Sequence, residues 1–503
     1  MQVKLLEYEK PSRVIVASAQ SCQSKKIVEP SNVQNVDLAT ELLESGHTTT
    51  IEHTYVTFLL SGVSRHLIWS LLHSHPFYNS EQVSQRYVPM DEENVYVPPS
   101  IKQDEEKRDF FVQHVTRCFS DYHELVKSLT PVMKDLYFSR HPNRKKDKKF
   151  KEIPEKLALE TARYVIPVAV TAHLYHTVNI LTLLRYRAIA ADPECREEAP
   201  AVVLQMWDAL LEADPDLRDL MTSVPMGTSR LADLDKYDPD RADSFIETFD
   251  RVLMGTRRRS HLIDASPHSA VMLELLGGAT IAGFDKKTHP EETMAELIMS
   301  PLRMEPGRLN VDPISKAGQL ARQVKYLFAK RISLSGDSQN QRHRTTPSAS
   351  PLLMNQLGTK STYEIPGPIY REGGPIERRF RSSVEESIRA ANTMAQWHTD
   401  NPNAALYLLP NAFHVRFTES ADLMALRHKA HMRLCLNAQE EIWETMTEEV
   451  DQVSRIHPEI GRNLVPPCVT RYRAGLKPPC PEGKRFCGVQ VYRKLPSELE
   501  RTY

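Results

Sequence analysis

A weak internal repeat constrains this chain more than any other sequence feature. A short polar run at 80–87, Ser-Glu-Gln-Val-Ser-Gln-Arg-Tyr, has a looser counterpart at 337–344, Asp-Ser-Gln-Asn-Gln-Arg-His-Arg. A small hydroxyl or amide followed by a spaced Arg suits a loop wrapped on a phosphate, with the guanidinium as a bidentate clamp. A solvated turn between two elements is the alternative. A repeat of this length indicates two packed copies of one domain rather than a solenoid.

Composition limits the classes of protein that this chain can belong to. Its 503 residues exceed what one ordinary core accommodates, so we expect at least two domains. Hydrophobic residues at 41% and charged residues at 26% are typical of a soluble globular protein, and the net charge of −1 argues against a general nucleic-acid binder. We find neither a membrane span nor a signal core and expect a cytoplasmic protein. Seven cysteines, an odd number in a long chain, do not make a disulfide framework.

The repeat and the composition together predict a domain division. We assign a first domain to 1–213, a connection rich in Asp and Pro to 214–245, a second and more diverged domain to 246–455, and a Cys-containing tail to 456–503. The fold class expected is α+β, because strand-like and helix-like periodicities both occur in each half.

Several local patterns carry this assignment. Residues 13–18 are predicted to form a buried strand and 54–60 another, because both are rich in β-branched or aromatic residues. Apolar periodicity predicts helices over 107–137 and 421–453. The basic run 144–151 reads as a solvated loop, with a phosphate or RNA patch as the alternative.

Five short motifs of the first half stand in a specific order. They are Glu52-His53, Thr57-Phe58, Ser84-Gln85-Arg86-Tyr87, Ala162-Arg163 with Pro167, and Thr177-Val178-Asn179. In this order and spacing they resemble the flavin-dependent thymidylate synthases. The second half matches less well: 340–343 stands for the polar loop, 405–410 for the helix end, and Leu423 to Arg433 followed by Ala438-Gln439 for a family helix.

The resemblance implies both a fold and a reaction. It implies two tandem thymidylate synthase complementing protein-like domains that form a pseudo-dimer, replacing two subunits of a family whose short chains normally form homotetramers. It further implies reductive methylation of dUMP to dTMP, in which NADPH reduces FAD and methylenetetrahydrofolate gives the carbon. Sites of this kind lie between subunits and use no cysteine nucleophile. A homodimer of tandem chains is the assembly expected.

The resemblance also implies the residues that bind the nucleotide. They are Gln82, Ser84, Arg86, Arg163, Arg342 and Arg433. Ser84 and Arg86 would hold the phosphate, and Arg163 would be a second phosphate or ring-oxygen ligand. Arg433 would stabilise the negative charge that develops on the uracil, which makes Arg433 and Ser84 the candidate catalytic residues. Structural ion pairs are the alternative roles for Arg163 and Arg433.

A second set of residues is implied for the flavin. It consists of His53, His75, Asn179, Lys330 and Arg331. His75 would occupy the middle of the family's Arg-His-Arg triplet, which reads Ser-His-Pro at 74–76 and Lys-Arg-Ile at 330–332. A core or capping role for His53 and a turn role for His75 are the alternatives.

Each half departs from the family pattern at positions that the other half keeps. Arg163 of the first half corresponds to Leu406 in the second, and Arg433 of the second corresponds to Ala190 in the first, while Leu181 replaces a further family Arg. Three accounts fit: a few composite sites, an altered pyrimidine or RNA substrate on the inherited scaffold, or a non-catalytic nucleotide- or RNA-binding protein.

The C-terminal tail carries a separate group of soft ligands. Cys468, Cys480, Cys487 and His457 are the residue types that structural zinc prefers, among prolines and glycines that allow tight turns. Their spacing is not that of a standard zinc pair. Simple buried or surface thiols and an iron–sulfur cluster are the alternatives.

Overall fold

The fold is described from a computed structural model. Its described residues are 1–192, 194–227, 236–253, 258–266, 314–494 and 501. Parts of the predicted connection, of the second domain before 314, and of the last residues of the tail lie outside the described residues.

Two four-stranded sheets with one topology divide the molecule. The first has strand order β1-β2-β4-β3 and the second β5-β6-β8-β7, all neighbours antiparallel. The strands are β1 Gln2–Glu7, β2 Tyr55–Ser64, β3 Asn79–Gln82, β4 Thr171–Asn179, β5 Ser260–Ala265, β6 Lys325–Ser333, β7 Ser348–Ala349 and β8 His414–Asp422. The repeated strand order confirms the mixed helix-and-sheet class.

Helices cover the sheets and join them. They are α1 Pro11–Cys22, α2 Leu38–Glu44, α3 Arg65–Leu67, α4 Pro99–Lys102, α5 Glu105–Arg140, α6 Ile153–Ala162, α7 Ile180–Ile189, α8 Glu198–Ala213, α9 Arg218–Ser223, α10 Pro239–Val252, α11 Lys316–Ala321, α12 Leu334–Asn340, α13 Gly367–Glu372, α14 Gly374–Trp397, α15 Leu423–Arg433, α16 Glu440–Ile456, α17 Pro458–Gly461 and α18 Pro467–Arg473. A π-helical turn, Ile68–Leu72, extends α3. None of the described helices combines the length and the apolar character needed to cross a membrane.

One large hydrophobic core runs through both halves. It contains Phe58 and Leu174 of the first sheet together with Phe413 and Val415 of the second. Backbone bonds join the halves at its centre, where Pro167 and Pro410 form an antiparallel bridge. Because these apolar side chains are shared, neither half can be separated without exposing a face of this core.

In each half, a buried carboxylate binds the end of one sheet strand in the same way. Glu198 accepts hydrogen bonds from the backbone N–H and hydroxyl of Ser64, at 2.7 and 2.5 Å, where β2 ends. Glu441 accepts the same two bonds from Ser333, both 2.6 Å, where β6 ends.

A tyrosine from the opposite half donates a further hydrogen bond to each carboxylate. Tyr407 donates to Glu198 at 2.9 Å, and Tyr164 donates to Glu441 at 2.6 Å. Each half therefore donates a tyrosine hydroxyl to the buried carboxylate of the other half. As a result, the starts of α3 and α12, which follow β2 and β6, are each linked to the opposite half. Burial raises the pKa of both carboxyl groups to about 7.

The prediction of a strand at 13–18 is wrong, because these residues lie within helix α1. Pro11 stands at its first turn, where its missing N–H costs nothing. Asp214, far along the chain, accepts bonds from the backbone N–H and the hydroxyl of Ser12, at 2.9 and 2.8 Å. Asp214 therefore caps the start of α1, although it lies in a distant part of the chain.

The single helix predicted over 421–453 is also wrong. It is interrupted at 434–439, between α15 and α16, and its first two residues belong to β8. Helix α5, by contrast, confirms the helix predicted over 107–137 and extends it at both ends.

The two polar runs are not structural copies of each other. The run at 80–87 begins in β3 and continues as a turn, whereas the run at 337–344 begins inside α12. Helix α12 follows β6 in the second half, just as α3 follows β2 in the first half. Counted from the ends of these two strands, residues 342–344 correspond to residues 73–75. The triplet expected at 330–332 lies inside β6 instead.

An ion cluster fills the interior beside the second sheet. Lys330 has no exposed side-chain surface, and its ammonium lies 3.0 Å from Glu419 and 2.6 Å from Glu449. Lys429 contacts the same two carboxylates. Burial opposes the charge, but the two carboxylates raise the pKa of Lys330 above its usual range.

The exchanged tyrosines predict a specific loss of stability. Tyr164→Phe or Tyr407→Phe removes one bond to a buried carboxyl group and should lower the free energy of unfolding by about 1–3 kcal/mol. Urea unfolding measures this. Tyr363→Phe is the matched control, because Tyr363 donates to the exposed Glu385. An equal effect of all three substitutions would contradict the exchange as a stabilising contact.

The ion cluster predicts a larger effect. Lys330→Met leaves Lys429 against two carboxylates and should lower the free energy of unfolding by roughly 3–5 kcal/mol. Lys156→Met, which breaks the exposed pair with Glu152, should cost less than about 1 kcal/mol. A Lys330 variant of unchanged stability that no longer binds flavin would instead favour the cofactor role predicted from the sequence.

Candidate functional site

A cavity of about 470 Å³ lies where the first half, the second half and the tail meet. Its walls come from the ends of α5 and α6, from the break between α15 and α16, and from the tail. Six arginines and one lysine line it against two glutamates: Arg86, Arg140, Arg144, Arg433, Arg485, Arg501, Lys156, Glu160 and Glu482. The excess of cations makes it a candidate anion site.

Arg86 reaches the cavity from the turn after β3. Its Nη2 lies 3.0 Å from Glu160 and donates to the carbonyl of Asn437 at 2.9 Å, so it spans the two halves. Its Nε is buried and finds no partner among the described residues. A buried guanidinium N–H of this kind is available to an anionic ligand.

Arg433 approaches from the opposite half, at the end of α15. It donates to His343 at 2.8 Å and to the carbonyl of Gln339 at 2.6 Å. Burial and the positive charges of Arg86 and Arg342 lower the pKa of Arg433 to about 10. Bringing such cations together costs free energy, which an anion bound between them offsets.

Arg163 lies behind this pair rather than in the cavity wall. Its Nη2 donates to Gln439 at 2.6 Å, and its Nε is buried with no partner among the described residues. Burial lowers the pKa of Arg163, and the charge of Arg86 adds to that effect while Glu160 opposes it. The three arginines therefore form one electrostatic group contributed by both halves.

The other predicted nucleotide residues surround the Arg86 turn. Ser84 accepts a 3.2 Å bond from the backbone N–H of Arg86, which shapes the turn. Gln82 accepts a 2.7 Å bond from Arg65, which also holds the carbonyl of Val83. Arg342 lies farther out and pairs with the exposed Glu81 at 2.5 Å.

An aromatic and basic cluster lies between α3 and the end of α12. The rings of His73 and Tyr78 stack at 4.8 Å, and Arg344 lies 5.3 Å from the Tyr78 ring centroid. His75 bonds to Tyr186 at 2.8 Å. Burial lowers the pKa of His73 to about 3 and that of His75 to about 4, so both are neutral.

The remaining predicted flavin residues are dispersed. His53 is exposed just before β2, and Asn179 caps α7 by accepting the Thr182 N–H at 2.8 Å. Lys330 belongs to the buried ion cluster, and Arg331 pairs with Asp250 at 3.0 Å. The structure thus gives Lys330, Arg331 and Asn179 structural partners of their own.

The predicted metal ligands are only partly brought together. Cys468, Cys480 and Cys487 all line the cavity, but His457 bonds to Tyr326 at 2.9 Å beside the second-half core. Across the described part of the chain, no three His, Cys, Asp or Glu side chains are grouped tightly enough, as they stand, to hold a metal ion.

Several cavity residues were not identified from the sequence as site residues, among them Glu160, Asn437, Cys435 and Arg501. Glu160, Asn437 and Cys435 lack any motif of their own, although Cys435 follows Arg433 closely in the matched helix. Arg501 is half-buried, donates to the carbonyl of Ala438, and has two buried nitrogens without a partner among the described residues. The break after Arg433 brings two of these residues to the cavity, and the sequence gives no clear sign of that break.

Comparison with known proteins matches this chain to one family. The model of the family described as "Thymidylate synthase complementing protein" matches residues 4–216 and 287–459. The flavin-dependent thymidylate synthase of Clostridium tetani is 32% identical over 197 residues, which cover 37% of this chain and 72% of that protein. The protein of the same name from Mycobacteroides abscessus is 28% identical over 202 residues, covering 39% of this chain and 76% of that protein.

A solved structure was also matched. It is a UMP/dUMP methylase, PolB from Streptomyces cacaoi bound with 5-Br dUMP, at 18% identity and a TM-score of 0.33, covering 45% of this chain and 96% of that one. The two matched segments of the family model together span most of the chain and fall on its two halves. The resemblance predicted from the ordered motifs is confirmed, and the chain belongs to the thymidylate synthase complementing protein family as a flavin-dependent thymidylate synthase-like enzyme.

Proposed function

We propose that this chain methylates a uracil nucleotide, converting dUMP to dTMP, in the cavity between its two halves. One observation carries the proposal: Arg86 from the first half and Arg433 from the second meet in one cavity. Relatives named flavin-dependent thymidylate synthases support the choice of reaction.

The nucleotide phosphate fits the Arg86 end of the cavity. The Nε of Arg86 and two nitrogens of Arg501 have no partner among the described residues, and they would donate hydrogen bonds to a phosphate dianion. Ser84 fixes the turn that carries Arg86. A phosphate here would offset the mutual repulsion of these cations.

The uracil ring fits next to Arg433. The guanidinium of Arg433 donates hydrogen bonds to His343 and to the Gln339 carbonyl, and these bonds fix the position of the guanidinium. A fixed cation beside a ring that gains negative charge lowers the barrier without reorganisation. We assign Arg433 as the residue that stabilises this charge.

The residues between α3 and α12 fit a flavin dinucleotide. The buried Nε2 of His73 and Nδ1 of His176 lack partners among the described residues, and Arg342 and Arg344 flank the stacked Tyr78. Such a cofactor is suited by aromatic rings that stack on its flavin ring and by cations that bind its pyrophosphate. A flavin supplies hydride chemistry, with NADPH and methylenetetrahydrofolate proposed as co-substrates. His53, His75 and Asn179 remain the proposed flavin contacts of the first half.

The two halves act as a pseudo-dimer with one complete site per chain. Arg163 bonds to Gln439, so the two arginines that the halves kept, Arg163 and Arg433, lie on the same side of the molecule. Their counterparts, Leu406 and Ala190, are fully buried and apolar. The counterpart site therefore lacks both cations. We retain a homodimer of tandem chains as the proposed assembly.

Substitution of the two cavity arginines separates their roles. Arg86→Ala should raise KM for dUMP on the order of 10- to 100-fold, because a charge-assisted contact to the phosphate is lost. Arg433→Ala should lower kcat more than it raises KM. Steady-state release of tritium from 5-tritiated dUMP measures both. Arg389→Ala is the control, because Arg389 is exposed on α14 and should have no effect.

The proposed reaction is tested directly with the wild-type chain. With FAD, NADPH and methylenetetrahydrofolate supplied, we expect tritium release from dUMP and bound flavin in the visible spectrum. A well-folded chain that binds neither flavin nor dUMP would overturn the proposal. Flavin binding without tritium release from dUMP would reject dUMP as the substrate.

A further inference from the structure

Four cysteines from two parts of the chain line the cavity. Cys435 lies in the break after α15, and Cys468, Cys480 and Cys487 lie in the tail. All four are free thiols of intermediate exposure. The sequence grouped only the last three, because Cys435 lies far from them along the chain.

Two side chains tether these cysteines in pairs. Arg471 donates to the carbonyls of Pro478 and Pro479, both at 3.1 Å, and so holds the helix of Cys468 against the turn of Cys480. Asn437 donates to the carbonyl of Arg485 at 2.7 Å, which holds the turn of Cys435 against that of Cys487.

The thiols also lie within electrostatic reach of one another. Cys435 and Cys468 each lie close enough to others of the four cysteines for thiolate charges to interact. Arg140 lies close enough to Cys487 for its positive charge to act on that thiol. The surroundings thus contain cations that offset the net negative charge of a metal–thiolate centre.

The tail lacks the apolar packing that holds other segments in place. None of the described residues 465–494 belongs to either hydrophobic core, and their regular structure is limited to α18 and single turns. Gly488, at φ +83°, packs so closely on His141 that a Cβ would lie 2.4 Å from its ring. A segment of this size without a core is usually fixed by disulfides or a metal.

We propose that Cys435, Cys468, Cys480 and Cys487 bind one structural zinc ion, which clamps the tail to the wall of the nucleotide cavity. Four thiolates form the closed tetrahedral set that structural zinc prefers. The four thiols line one cavity, and as they stand they are not in ligand geometry. Binding would draw them together and release the thiol protons. Cys435 thus replaces His457 in the ligand set predicted from the sequence.

The clamp would act on the site at two points. Cys435 stands two residues after Arg433 and two before Asn437, whose carbonyl accepts the bond from Arg86. Fixing this turn therefore positions both Arg86 and Arg433. The cysteines have a structural role and contact no reacting atom.

Metal analysis of the full-length chain tests the zinc clamp. Cells grown with added zinc should give purified protein with close to one zinc ion per chain. Cys435→Ser and Cys487→Ser should reduce zinc to background, whereas Cys22→Ser and His457→Gln should retain it. Cys22 is the matched control, because it is an exposed thiol outside the cluster.

A second measurement needs no variant and so does not depend on the folding of a cysteine mutant. Titration of the wild-type thiols with a mercurial should release zinc in step with modification of the clustered cysteines. Wild-type protein without zinc, zinc retained by Cys435→Ser but lost by His457→Gln, or visible iron–sulfur absorption would each overturn the proposal. Because zinc content is measured without substrate, a failure of dUMP turnover leaves this test unaffected.

Discussion

The reciprocal burial of Glu198 and Glu441 is the interaction on which the rest of the structure depends. Each carboxylate caps the end of a central strand in its own half and takes a hydroxyl from the other half. A buried carboxylate left without these donors would be costly, so each half requires the other. This requirement fixes how α16 approaches the first half, and with it the position of Gln439 against Arg163.

That fixed approach bears on our proposal of one complete site per chain. In that proposal, the site takes residues from both halves. Arg163 and Arg433 lie on the same side, together with Arg86. The opposite positions, Leu406 and Ala190, have become part of the hydrophobic interior, where they add to packing. We propose that one side of the molecule holds the site, while the other side stabilises the interface between the halves.

How much of this could be read from the sequence depended on whether the determining contacts were local. The family and the two halves followed from ordered motifs that lie within short segments, and the same motifs indicated Arg86, Arg163 and Arg433 as candidate site residues. Their convergence in space is a tertiary property that the motifs did not specify.

The errors have the same origin. The pattern at 13–18 predicts a strand because Val14, Ile15 and Val16 are β-branched, whereas α1 forms there with its start capped by Asp214 from another part of the chain. The break after Arg433 was missed because Leu434 to Leu436 continue an apolar pattern with no Gly or Pro to end it. The Asn437 carbonyl in this break accepts the bond from Arg86, a contact between halves that the local sequence does not encode.

The central claim is that one chain supplies both arginines of its own site, and co-expression of two inactive variants tests it most directly. Chains carrying Arg86→Ala and chains carrying Arg433→Ala, with different affinity tags, would be purified as mixed oligomers and assayed for tritium release from dUMP. The account predicts activity no higher than that of either variant alone, because every site then lacks one arginine. Recovery of activity in the mixed oligomer would show that Arg86 and Arg433 come from different chains and would contradict it.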